Sequence, residues 1–161
     1  MKLSLLFSSA IPMILALIAG IAVPFQAASN VALGRALGHP LWATLTSLII
    51  SILVLLPLIA IIRPQMPNIQ AALQGPIWLW LGGFFGVAYI TAALILTPKI
   101  GIASFMICVI IGQIMTSLFL DATGIMGLLP RAISFGKLLG TLLMVIGLVV
   151  FQLSAMRGTI K

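Results

Sequence analysis

Two carboxamides lie four residues apart inside an uncharged apolar run. They are Gln26 and Asn30, within the stretch GIAVPFQAASNVALGRALG from Gly20 to Gly38. A spacing of four places both on one face of a helix. A carboxamide donates and accepts hydrogen bonds, so the pair can hold an uncharged or zwitterionic group. Facing hydrocarbon without a partner, such a group costs several kcal/mol, roughly. The shared face is therefore expected to look into protein or a wet cavity. Pro24 removes a backbone donor just ahead of the pair and weakens the preceding turn. In a membrane that is tolerated where neighbours or water satisfy the freed carbonyl. Gln26 and Asn30 are the first candidates for substrate contact; the alternative is a hydrogen bond to another helix.

A second polar set lies further along. Gly101, Ser104, Cys108 and Gly112 recur at a helical stride, with Gln113, Ser117 and Asp121 on an adjacent stripe. Gln113 and Ser117 join the substrate-binding candidates because intramembrane polar groups tend to be functional. Tyr89 joins them with a ring and a hydroxyl. Thr44, Ser47 and Ser51 form one further stripe. Asp121 is the only acid in the chain; it is expected to mark a membrane boundary and to pair with Arg131 or Lys137. His39 sits in a connection before a proline, where a histidine is more often incidental. Cys108 is expected to pack as a small apolar residue.

Other chemistry is excluded by inventory. A single cysteine allows no intramolecular disulfide and no cysteine-based metal cluster. One histidine and one acid cannot make an HExxH motif or a Ser-His-Asp set, and no P-loop is present. No enzyme activity, metal or cofactor is expected.

The elements that must position these residues are apolar helices. Of 161 residues, 63% are hydrophobic and 6% charged, where a soluble domain carries about a quarter charged. This reads as an all-α membrane protein of one transmembrane domain. Five apolar segments follow one another: Leu5 to Val31, Leu41 to Ile62, Ile77 to Leu96, Ile100 to Leu120 and Ile133 to Leu153. Each has about the length that a tilted helix needs to cross ~30 Å of hydrocarbon. The first is too long for the apolar core of a signal peptide and is expected to be retained as a span. Trp42, Trp78 and Trp80 open the second and third spans, where tryptophan favours the headgroup region. Gly20, Pro24, Gly82, Gly86, Gly136 and Gly140 are candidates for close helix packing, or for a hinge.

With five spans the termini lie on opposite sides of the bilayer. The N-terminal side receives Lys2, Arg63, Arg131 and Lys137; the C-terminal side receives Arg35, Lys99, Arg157 and Lys161. Orientation follows the Lys/Arg excess in short flanking segments, and here there is none. Insertion both ways up is the simplest inference, against one orientation fixed by the first span or by another chain. The scattered single cations do not make a nucleic-acid surface. Oppositely inserted copies would give the inverted-repeat plan of secondary transporters, with the site at the repeat interface. By helix rise, Gln26 lies ~13 Å below Arg35 and Gln113 ~12 Å from Asp121. In an antiparallel pair, Gln26 of one copy comes level with Gln113 of the other, and Asn30 with Ser117.

The pattern Gly20, Pro24, Gln26, Asn30, then Leu33-Gly34-Arg35, resembles the first span of the YdcZ-like small membrane proteins of the drug/metabolite transporter superfamily. Leu81-Gly82-Gly83, Gly86 and Tyr89 fit the same group, as do Gly101, Gly112-Gln113, Ser117-Leu118, Asp121 and Gly124, and finally Gly140 and Gly147. The resemblance covers nearly the whole chain. It implies a multi-pass exporter of the bacterial inner membrane, half of a ten-helix inverted-repeat fold that two copies would rebuild. The small multidrug and guanidinium exporters of that superfamily rely on a membrane-embedded glutamate, and this chain has no Glu. That departure speaks against proton-coupled cation export.

The reading is a transporter of a small molecule, an exporter working by alternating access as an antiparallel homodimer, or with a related five-span chain, in the lipid bilayer. A membrane scaffold or accessory subunit pairing with a different chain is the alternative, and a pore is a third.

Overall fold

The computed structural model describes residues 2–158, with side-chain surroundings over residues 10–155. Of the cations counted above, Lys161 and the side chains of Lys2 and Arg157 fall outside these limits. The described chain is helical, with no strand among the described residues. The long helices are α1 (Lys2–Ala36), α2 (Pro40–Ile62), α4 (Leu81–Ile100), α5 (Ile102–Thr123) and α6 (Phe135–Gly158), and α3 (Ile69–Gln74) is a short one. Five of the six are long and apolar enough to cross a membrane, α4 counted together with the 3-10 turn Ile77–Trp80 that precedes it. The chain divides at Lys99–Ile100 into two compact units.

In the first unit, the connection from α1 to α2 is fixed by Gly38-His39-Pro40. Leu37 N–H donates to Leu33 O at 2.9 Å and ends α1. Gly38 then takes φ +78°, which glycine adopts without steric cost. His39 is extended, as a residue before proline should be, and its Nδ1 accepts from Leu41 N–H at 3.2 Å. Pro40 occupies the first turn of α2, where a missing N–H costs nothing. A turn this short sets α1 and α2 side by side and antiparallel.

The buried residues of this unit fall at one end of its helices. They are Ala27, Asn30 and Gly34 on α1, Ala43 and Thr44 on α2, and Ala93, Leu94 and Thr97 on α4. Small side chains dominate, which lets helix backbones approach closely where lipid supplies no hydrophobic drive. Gly34 sits where the three helices meet: a Cβ there would stand 3.1 Å from Leu94 Cδ2 and 3.6 Å from Ala43 Cβ. By contrast, a Cβ at Gly20, Gly82, Gly86 or Gly140 would meet nothing within 4 Å, and one at Gly136 only Ser134 Oγ at 4.0 Å. From Ile49 to Ile62, α2 is exposed throughout.

In the second unit, α5 packs against α6. Gly101 at φ +83° begins it, and Phe105 N–H donates to Gly101 O at 3.1 Å. Gly124, in the left-handed region at φ +63°, ends α5 by donating to Leu120 O. Asp121 pairs with Lys137 across the connection, Oδ2 to Nζ 3.7 Å. Its backbone carbonyl accepts Arg131 N–H at 2.7 Å. Ser134 Oγ accepts Lys137 N–H at 3.3 Å as α6 starts. Cys108 is exposed rather than packed inside, and Gln152 Nε2 donates to its sulfur at 3.8 Å.

Candidate substrate site

Asn30 is 8% exposed, yet its amide makes no hydrogen bond among the described residues. The amide is not sealed in: the buried side-chain oxygen without a partner among the described residues is Thr97 Oγ1, whereas Asn30 opens onto cavity space. Asn30 lines two cavities of the first unit. One is a groove of about 530 Å³ between α1 and α2, bordered by Gln26, Ser29, Asn30 and Leu33 and by Ser47, Ile50, Ser51, Val54, Leu55 and Leu58. The other is a narrow gap of about 10 Å³ where Gln26 and Asn30 meet Tyr89 and Ala93 of α4.

Three of the five sequence candidates thus come together. Gln26 and Asn30 lie one turn apart on α1, and half-buried Tyr89 faces them across the gap. Gln26 is itself exposed and lines both cavities. Gln113 and Ser117 lie one turn apart on α5, in the second unit, and both are exposed.

Ser29, Ser47 and Ser51 also line the groove. The signal for the last two is the stripe Thr44-Ser47-Ser51, which the structure splits. Thr44 turns into the packing, 3% exposed, while Ser47 and Ser51 border the groove. Ser51 Oγ donates to Ser47 O at 2.9 Å, which leaves its oxygen free to accept. For Ser29 the available signal is its place three residues after Gln26. Among the described residues no charged side chain and no aromatic ring borders the groove. It offers amides and hydroxyls on one side and aliphatic carbon on the other, the lining expected of a small-molecule site.

The family described as "Putative inner membrane exporter, YdcZ" matches residues 11–150. The chain belongs to the YdcZ family. No curated protein and no solved structure gives a significant match. Membership and five membrane-spanning helices make this a multi-pass inner membrane protein and a membrane transporter. The YdcZ match takes in the whole groove, Tyr89, Gln113 and Ser117.

Proposed function

We propose that this chain exports a small molecule by alternating access, as an antiparallel homodimer. Gln26 and Asn30, assisted by Tyr89, orient the substrate in each copy, and Gln113 and Ser117 of the oppositely inserted copy complete the contact. The observation that carries the reading is Asn30, whose amide makes no hydrogen bond among the described residues and opens onto a groove in a membrane span. Polar groups held inside a membrane mark substrate pathways. The even division of cations between the two sides supports insertion both ways up. Gly82 and Gly86 of α4 and Gly140 of α6, where an added Cβ would meet nothing within 4 Å among the described residues, suit surfaces that slide or meet a second copy.

Lysines added to the connections of one side, and in a second version to those of the other, force single orientations. Each version is expected to be inactive alone in export and active when the two are co-expressed. Full activity of one version alone would rule out the antiparallel pair.

A further inference from the structure

The groove between α1 and α2 is graded along its length, and the grading names a ligand class. This step rests on the substrate site proposed above and adds Ser47 and Ser51 to it. Measured by helix rise from the turn between the helices, Asn30 and Ser47 lie at a common level of ~10 Å, and Gln26 and Ser51 at ~16 Å. Polar atoms from both helices therefore face each other over one helical turn. Leu33 borders the groove on the turn side. Beyond Ser51 the character changes. Val54, Leu55 and Leu58 line the rest, all on α2 and all about half exposed or more, over a further ~10 Å.

Charge narrows the class. Among the described residues no acid borders the groove to balance a cation, and no base to balance an anion. An ion stripped of water without an opposite charge is strongly disfavoured at this depth. Tyr89 lines the neighbouring gap rather than the groove, so a rigid aromatic ligand lying in the groove would find no ring among the described residues to stack on. We infer that the groove binds an uncharged single-chain amphiphile. Its amide or hydroxyl head is held by Asn30, Gln26, Ser47 and Ser51, and its aliphatic tail runs along Val54, Leu55 and Leu58, away from the α1–α2 turn.

The test uses the full chain in phosphatidylcholine vesicles, with octanamide carrying a diazirine at its tail end, and with the matching octylammonium and octanoate probes. Photolabelling followed by peptide mapping should place the octanamide label on Val54, Leu55 or Leu58. The charged probes should label these positions at least tenfold less at equal membrane loading, the scale of one net hydrogen bond or more. Asn30→Leu and, more conservatively, Ser47→Ala should each weaken labelling, Asn30→Leu about tenfold on the same scale. Labelling at Leu33 instead would reverse the orientation and overturn the inference. Equal or stronger labelling by a charged probe would overturn the ligand class. Absence of octanamide label from all of these positions would overturn both. Labelling as expected without octanamide flux in the same vesicles would leave the binding site standing and count against export of this class.

Discussion

The hydroxyls of Thr44 on α2 and Thr91 on α4 lie 3.2 Å apart. Thr44 Oγ1 also donates to Pro40 O at 3.2 Å, which uses its only proton. Thr91 must therefore be the donor to Thr44. Two helices of the first unit are thus tied at the same end where Gly34 meets Leu94. The groove, by contrast, runs on along the exposed stretch of α2.

Thr91→Val removes the interhelical bond, and Thr44→Val removes it together with the bond to Pro40 O. Interhelical hydrogen bonds in membranes average about 0.6 kcal/mol. A double-mutant cycle read by SDS unfolding should give a coupling energy of that order. Zero coupling would mean that the two hydroxyls do not meet in the bilayer. Ser47→Ala, one turn along the stripe, should leave stability nearly unchanged, because its hydroxyl makes no bond among the described residues.

Gly34 is the packing glycine of the first unit. Leu94 is 4% exposed and has little room to withdraw from a new methyl 3.1 Å away. Gly34→Ala is expected to lower the unfolding midpoint by an amount worth about 1 kcal/mol, and Gly34→Leu by up to ~3 kcal/mol, the usual range for overpacking. Gly20→Ala is the control: nothing stands within 4 Å of its new Cβ, and alanine favours helix by about 1 kcal/mol. Its midpoint should hold or rise.

Asp121 and Lys137 are 38% and 44% exposed, at 3.7 Å, and exposed pairs of this kind contribute about 0–1 kcal/mol. Asp121→Asn should therefore cost little in stability. It should also keep transport of whichever compound stabilises the wild type, since this carboxylate faces Lys137 at the end of α5 and is not among the residues lining the groove. Loss of transport by a stable Asp121→Asn protein would make Asp121 a proton carrier.

The apolar helices were legible because hydropathy alone marks a span in lipid. So was the shared face of Gln26 and Asn30, because helical spacing fixes direction. The role of each member of the α2 stripe was not legible. Thr44, Ser47 and Ser51 have the same periodicity, and only the crowding near Gly34 and Ala43 decides that Thr44 is packed while the serines border a groove. Helix α3 was hidden for a different reason. Six residues carry little hydropathy signal, and the helix is held by Asn68 Oδ1 accepting Ala71 N–H at 2.9 Å. Gly34 stood in the sequence among many glycines. Nothing local to it says that Leu94, sixty residues on, is its neighbour.

Arg63 joins local strain to orientation. It ends α2 at φ +49°, ψ +54°, with its N–H donating to Ile59 O at 2.9 Å. A residue with a Cβ loses roughly 1–2 kcal/mol in this left-handed region, and glycine is the usual occupant of such a helix end. Arg63→Gly should therefore raise the unfolding midpoint. The same substitution removes one of the four cations on the N-terminal side and leaves four on the other. Positive charge holds a side in the cytoplasm, so the fraction of copies with a cytoplasmic C-terminus should rise, as read by a C-terminal reporter active on one side only. Lys99→Gln removes a cation from the opposite side and should move the reporter the other way. If both variants leave every copy in the wild-type orientation, charge balance does not govern insertion and the antiparallel pair loses its basis. If the reporter moves in both directions while stability rises only in Arg63→Gly, the two effects of this residue separate cleanly: strain at its backbone, orientation at its guanidinium.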